Sequence, residues 1–229
     1  MIIKGLQKTT LLDFPGKVAC TVFTAGCNFR CPFCHNASLV VCPDDVDNIS
    51  EEEFFSYISK RKGILDGVAI TGGEPLMSSG IADFIRRIKS MGFLVKLDTN
   101  GAYPDKLEAL LDEGLVDYVA MDVKNSREKY AETIGLKSFP TSIEKSIEII
   151  MNKAPDYEFR TTVVKELHTT QDIVDITKWI NGAKRYFLQA YVDSGDILGE
   201  GFSAYSAEEM LEILEKSRIL LPCTILRGT

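Results

Sequence analysis

Short β-rich runs alternate with longer helical patterns along most of the 229-residue chain, and few architectures satisfy that order. Strands are expected at residues 18–24, 68–71, 94–98, 118–122, 157–163 and 186–192. Helices are expected between them at 50–62, 80–91, 104–113, 142–152 and 171–181. A last helix at 206–218 leads into a candidate closing strand at 223–226. Several helix ends are readable. Ser50 stands before Glu51, Glu52 and Glu53, and Ser206 stands three residues before Glu209, so each offers an N-cap hydroxyl with a capping-box acid. Pro104 fits a first turn. Gly92, Gly114 and Gly182 each follow a helical run, where a left-handed C-terminal cap is common.

This alternation argues for a mostly parallel sheet built from βαβ units. About six units are too few for a closed eight-stranded barrel. A partial barrel and an open doubly wound sheet both fit. The chain has no internal repeat, low-complexity tract or long linker, so a single domain over residues 1–229 is expected, with a short N-terminal extension at 1–16.

In such folds chemistry collects in the loops after the C-terminal ends of strands, and the unusual residues fall there. The loop after the first expected strand reads Gly26-Cys27-Asn28-Phe29-Arg30-Cys31-Pro32-Phe33-Cys34-His35-Asn36. Its spacing is Cys-x3-Cys-x2-Cys. Thiolates are soft ligands for iron–sulfur clusters and zinc. A fully ligated 4Fe-4S cluster takes four cysteines, so three leave one iron open to a further ligand. The other readings are a zinc site of the three cysteines with His35, or unliganded buried thiols. Zinc more often uses Cys-x2-Cys pairs separated by a longer gap.

Gly72-Gly73-Glu74-Pro75 follows the second strand, Asp98-Thr99-Asn100-Gly101 the third, and Asp122-Val123-Lys124 the fourth. Paired glycines let backbone approach a ligand closely. Glu74 is placed to offset an ammonium, Asp98 is a suitable ammonium partner and Lys124 a suitable carboxylate partner. Arg160 lies inside a β-rich run, where a buried guanidinium needs a partner; it faces either the pocket or the outside. His168 is expected to be a solvated or capping residue before a helix. Cys20, Cys42 and Cys223 lack metal spacing with one another, and Cys20 and Trp179 are expected in the core.

The Cys-x3-Cys-x-aromatic-Cys loop, with Phe33 in the aromatic slot, resembles the signature of the radical S-adenosylmethionine (SAM) superfamily. That resemblance implies a partial (β/α)6 TIM-like barrel, α/β in class, and one 4Fe-4S cluster on Cys27, Cys31 and Cys34. It implies that the open iron chelates the amino and carboxylate groups of SAM, whose reductive cleavage gives methionine and a 5'-deoxyadenosyl radical. The resemblance places Phe33, Cys34, His35, Gly72, Gly73, Glu74, Asp98, Asn100, Asp122, Val123, Lys124 and Arg160 around the cofactors. No side chain is assigned a catalytic role of its own, because the cofactor pair does the chemistry. Cys34-His35-Asn36, Thr10-Leu11-Leu12-Asp13-Phe14-Pro15-Gly16, the Asp98 and Asp122 segments and Leu226-Arg227-Gly228 resemble the glycyl-radical-enzyme activating group. Within it the chain resembles most the anaerobic ribonucleoside-triphosphate reductase activating proteins and pyruvate formate-lyase activating enzyme. This implies a glycyl radical enzyme as protein substrate, a flavodoxin- or ferredoxin-type electron donor, and a monovalent cation shared by Asp98 and Asp122. It departs in lacking a His in Leu188-Gln189-Ala190-Tyr191-Val192-Asp193, where some relatives place one near SAM. The alternative is a radical SAM enzyme acting on a small molecule or peptide side chain.

The formal net charge of -7 gives no reason to expect nucleic acid, and no Lys/Arg run suggests an anionic membrane. The N-terminus lacks an apolar stretch behind a basic start, and no segment is apolar enough for a membrane span. A cytoplasmic enzyme is expected, in which clustered cysteines mean metal more often than disulfides.

Overall fold

The computed structural model describes residues 1–41 and 48–228, so Cys42 lies outside the described residues. Eight strands form one sheet: β1 (Ile3–Thr10), β2 (Ala19–Thr24), β3 (Gly67–Gly72), β4 (Leu94–Thr99), β5 (Tyr118–Asp122), β6 (Tyr157–Val163), β7 (Tyr186–Ala190) and β8 (Thr224–Arg227). The helices are α1 (Ala37–Val41), α2 (Glu51–Ser59), α3 (Ile81–Ser90), α4 (Pro104–Asp112), α5 (Tyr130–Thr133), α6 (Ser142–Lys153), α7 (Thr170–Trp179) and α8 (Ala207–Leu220). A short 3-10 turn spans Pro75–Met77.

Spatial strand order follows chain order from β1 to β8, and every pair from β2 onward is parallel. That order separates the two architectures left open by the sequence. A doubly wound sheet needs a point where the order reverses. Here each crossover steps the same way, so with one crossover hand the helices gather on one side, and the sheet curls around the other. The result is an open partial barrel.

β1 was hidden in the expected N-terminal extension. It pairs antiparallel with β2, from Ile3 opposite Thr24 to Thr10 opposite Ala19. Only its two end residues are buried, and Lys4, Gly5, Gln7 and Lys8 interrupt any apolar alternation. An edge strand that buries so little carries no clear period-2 signal. The closing strand does form, one residue later than expected, as a seventh parallel strand.

The N-caps form as read, but only one capping box does: Ser50 accepts a hydrogen bond from Glu53 N without a return bond from the Glu53 side chain, whereas Ser206 and Glu209 make the full reciprocal box. Gly92, Gly114 and Gly182 have φ of 90°, 67° and 89°, the left-handed caps that stop their helices. Ile81, Phe84, Ile85 and Ile88 form one apolar stripe on α3, and Phe84 meets the rings of Phe54 and Phe55 at 5.1 and 5.2 Å. Cys20 is fully buried, and half-buried Trp179 packs against Tyr130 and Phe139. Phe14, from the β1–β2 connection, packs with Ala19, Tyr118 and Ala120 where those strands begin, and closes the barrel floor. Burying such a side chain stabilises by about 2 kcal/mol.

Strand residues alternate between the helix-facing side and the barrel interior. Val95 and Leu97, Val119 and Met121, and Tyr157 and Phe159 belong to the main apolar core. The intervening positions, including Thr21, Thr71, Asp98, Asp122, Arg160, Thr162 and Gln189, line a cavity inside the barrel. Among the described residues no helix is long and apolar enough to cross a membrane.

Candidate active site

The cavity has a volume of about 450 Å³ and opens at the C-terminal ends of the strands. Cys27, Cys31 and Cys34 all line it. Tight local bonds shape their loop. Cys34 N donates to Cys31 O at 3.1 Å, so the Pro32-Phe33 segment turns back on itself. Arg30 Nη1 donates to the carbonyls of Cys27 and Phe29 at 2.6 and 2.8 Å, and Arg30 N donates to Ile134 O at 3.0 Å. Two donors reach the Cys27 sulfur, Phe29 N at 3.4 Å and Asn100 Nδ2 at 3.6 Å. Burial pushes the Cys31 thiol up to about 12 and also raises Cys27. Sulfurs in such a site become thiolates only when a bound cationic centre supplies compensating charge.

All three thiols and His35 line the one cavity. Soft sulfur donors with N–H groups directed at one of them suit an iron–sulfur cluster.

Gly72 and Gly73 lie against the cysteine loop. Gly72 has φ of 115°, and a Cβ at Gly73 would run into the carbonyl oxygen of Gly26. Gly73 N donates to Thr24 O at 3.0 Å and Glu74 N to Gly26 O at 2.8 Å. Only glycine permits this contact at the two positions. Glu74 corrects the sequence reading. Its side chain does not line the cavity, and its residue is 1% exposed. The carboxylate accepts from Leu76 N at 2.9 Å, Thr99 Oγ1 at 3.0 Å and Asn100 N at 2.7 Å. It ties the glycine loop to the loop after β4, with both oxygens engaged there and facing away from the cavity lining. Burial pushes it up to about 7 despite these bonds.

Asp98, Asn100, Asp122, Lys124 and Arg160 all line the cavity, with Phe33 and His35. Arg160 faces inward and bridges the two acids, with Nη1 3.2 Å from Asp98 Oδ2 and Nε 2.9 Å from Asp122 Oδ1. Lys124 Nζ lies 2.9 Å from Asp122 Oδ2. Burial alone would raise Asp122, but Arg160 and Lys124 more than offset it and hold the carboxyl well below its usual range. Asn100 Nδ2 also donates to Asn28 Oδ1 at 3.0 Å, so this loop is tied to the cysteine loop as well. Val123 does not line the cavity. It is fully buried, and its backbone N–H and C=O are used by Arg160 O and Thr161 Oγ1.

His168 is neither solvated nor a cap. It is 1% exposed, and the N-cap is its neighbour Thr169, boxed with Asp172. Val164 N donates to His168 Nδ1 at 3.1 Å, which leaves Nε2 to donate to Lys124 O at 2.8 Å. Its ring stands edge-on to Phe33 with centroids 6.3 Å apart. Gln7, Asp13, Thr21, Thr71, Thr162 and Gln189 also line the cavity and were not singled out from the sequence. Thr21, Thr71, Thr162 and Gln189 are polar positions on largely apolar strands, Gln7 lies on the edge strand β1, and Asp13 lies in the β1–β2 connection. His35 lines the cavity with its buried Nε2 unpartnered, beside the Tyr191 ring at 5.5 Å.

A model described as the Radical SAM superfamily matches residues 21–180. A Methanocaldococcus jannaschii protein named as a glycyl-radical enzyme activating enzyme is 31% identical over 223 residues, covering 95% of this chain and 91% of that protein. A 7-carboxy-7-deazaguanine synthase of Clostridium acetobutylicum is 28% identical over 163 residues, 69% of this chain and 66% of that enzyme. Among solved structures, a domain of a pyruvate-formate lyase-activating enzyme from Bacteroides vulgatus superposes with a TM-score of 0.57 at 16% identity, covering 71% of this chain and 99% of that one. Streptococcus suis SuiB bound to its precursor peptide SuiA superposes with a TM-score of 0.70 at 13% identity, covering 91% of this chain and 48% of that one. At these identities the structural likeness speaks for the fold alone.

Proposed function

The chain belongs to the radical SAM superfamily, and from that premise we propose that it activates a glycyl radical enzyme, such as an anaerobic ribonucleoside-triphosphate reductase, by taking a hydrogen atom from a glycine of that partner. The observation that carries the reading is one cavity shared by three thiols, a glycine-lined loop and a chain of fixed charges. Cys27, Cys31 and Cys34 would hold a 4Fe-4S cluster with one iron left open. When bound, cluster and SAM supply the one-electron chemistry: reductive cleavage of SAM to methionine and the 5'-deoxyadenosyl radical that abstracts hydrogen.

The protein's own part is positioning. Gly72 and Gly73 let backbone approach the methionine end of SAM without a Cβ in the way. Lys124 presents an ammonium to the SAM carboxylate, held in place by Asp122. His168 fixes the carbonyl of that same lysine, so the loop after β5 keeps its course beside Phe33. Phe29 N and Asn100 Nδ2 donate toward the Cys27 sulfur, which stabilises negative charge on that ligand. The similarity to the M. jannaschii protein spans almost the whole of both chains and supports a protein substrate over a small molecule. A flavodoxin- or ferredoxin-type donor would supply the electron.

The test is anaerobic reconstitution, expected to load about four irons and four sulfides per chain. Reduction with SAM should then yield 5'-deoxyadenosine. Mixing with a candidate glycyl radical enzyme should produce a glycine-centred radical signal in electron paramagnetic resonance. Cleavage of SAM with no radical on any glycyl radical enzyme tried, and hydrogen abstraction from a small molecule or a side chain instead, would refute the activase reading.

A further inference from the structure

Asp98 and Asp122 leave no carboxylate oxygen without a fixed cationic partner. Asp98 Oδ1 pairs with the Lys96 ammonium, and Oδ2 with Arg160 Nη1 at 3.2 Å. Asp122 Oδ1 pairs with Arg160 Nε at 2.9 Å, and Oδ2 with Lys124 Nζ at 2.9 Å. The groups run in one line: Lys96, Asp98, Arg160, Asp122, Lys124. Along this line every carboxylate oxygen already faces a fixed positive group before any ligand arrives. A free monovalent cation shared by the two acids, as the family resemblance implies, would add a fourth positive charge to oxygens already matched. Inside a barrel, where charges are weakly screened, that addition is unfavourable.

Lys96 is the member of the line that no ligand contact explains. It is 3% exposed, does not line the cavity, and lies two residues deeper than Asp98 on the same strand. Its ammonium reaches up to Asp98 from behind, with the Tyr118 ring centroid 6.0 Å away. Burying an ammonium is costly unless its charge is matched, and Asp98 is what matches it. Arg160 takes the place between the two acids that a shared cation would take, and Lys96 supplies the further positive charge on the Asp98 oxygen that Arg160 leaves.

We propose that Lys96, with Arg160, is a covalently tethered substitute for that cation, so that this protein holds SAM without a free monovalent ion. Lys96 is thus a positioning residue: it acts on the ligand through Asp98. The inference rests on the SAM reading given above, and its test separates the two.

SAM binding to the reconstituted protein is measured by equilibrium dialysis in potassium chloride and in choline chloride at equal ionic strength. Uptake of rubidium ion is measured with and without SAM. The unaltered protein is expected to bind SAM equally in the two salts, within about twofold, and to take up no stoichiometric rubidium. Lys96→Met keeps the side-chain length and removes the charge. It is expected to lose about tenfold or more in SAM affinity in choline chloride and to regain part of it with potassium or methylammonium, because one charged contact is worth that much. Stoichiometric rubidium uptake by the unaltered protein overturns the proposal. So does a collapse of its SAM affinity in choline, or a Lys96→Met protein that binds SAM normally in both salts. Where Lys96→Met does not fold, the two measurements on the unaltered protein decide. Absence of SAM binding in either salt overturns the cofactor reading instead, and rubidium uptake without SAM still decides on the cation.

Discussion

The wall of the barrel made by β2 and β3 presents Thr21, Phe23, Ala69 and Thr71 to the cavity, whereas β4, β5 and β6 present Asp98, Asp122, Arg160 and Thr162. The strand residues of the first wall are uncharged and lie close to the cysteine and glycine loops that follow them; the charge beside them is Asp13, from the β1–β2 connection, which accepts from Thr21. The second holds an ion chain whose members are matched to one another before any ligand enters. The contrast separates two tasks. Where two backbone loops come close, the chain removes side-chain bulk, as at Gly73 against Gly26. On the other wall the chain sets charges in fixed positions, which would leave little reorganisation to the binding of a zwitterion.

The largest effect should come from the cysteine loop. Replacing Cys27, Cys31 or Cys34 by Ala should abolish both SAM cleavage and the reconstituted iron content, whereas Cys223→Ala should retain both. Cys223 is half-buried, with its thiol 3.1 Å from Ala183 O. Iron loss from Cys223→Ala, or 5'-deoxyadenosine at the parent rate from Cys27→Ala, would reverse the assignment.

On the charged wall, Arg160→Leu leaves Asp98 and Asp122 without their shared partner. Breaking such a buried pair from one side costs about 3 kcal/mol, to be read from denaturant unfolding near neutral pH. An unchanged midpoint would mean that the two acids find water or another donor. The same comparison has a pH dependence. Burial alone would raise both carboxyls, but Arg160, with Lys96 and Lys124, holds them below the ordinary value of 3.8. A depressed carboxyl contributes stability that is complete above its unfolded value and is lost as pH falls through its lower folded value. The gap between the unaltered protein and Arg160→Leu should therefore narrow on acidification from about pH 5 to about pH 2. A gap that stays constant over that range would show that the pairing energy is not carried by the carboxylates.

Lys124→Ala should weaken SAM binding by about tenfold, the worth of one charge-assisted contact, while the cluster still loads. On the uncharged wall, Thr21→Val removes the hydroxyl that donates to Asp13 Oδ2 at 2.5 Å. It should cost about 1 kcal/mol of stability and leave SAM affinity unchanged. A larger loss of affinity in Thr21→Val than in Lys124→Ala would invert the division between the walls.

Much of the site was legible in the chain because its recognition elements are local. Three cysteines within eight positions must lie near one another in any fold, and two adjacent glycines after a strand announce a close backbone approach. The helix ends were legible for the same reason, since a cap bonds to its own first turn. β1 was not, because an edge strand with little burial imposes no alternation on its residues. Glu74 and His168 were misread because each takes its meaning from distant segments: Glu74 from Asn100, and His168 from Lys124.

Local spacing and period, then, were enough to put three thiols in one loop and to specify the strand–helix rhythm and the parallel sheet. Folding added the direction of winding and the pairing of groups across strands, which placed Lys96 behind Asp98, turned Arg160 inward and drew Glu74 out of the cavity. The physical reason is that a covalent neighbour acts within a few residues, whereas the partner of a buried charge is chosen by which side chains the closed sheet brings within hydrogen-bond reach.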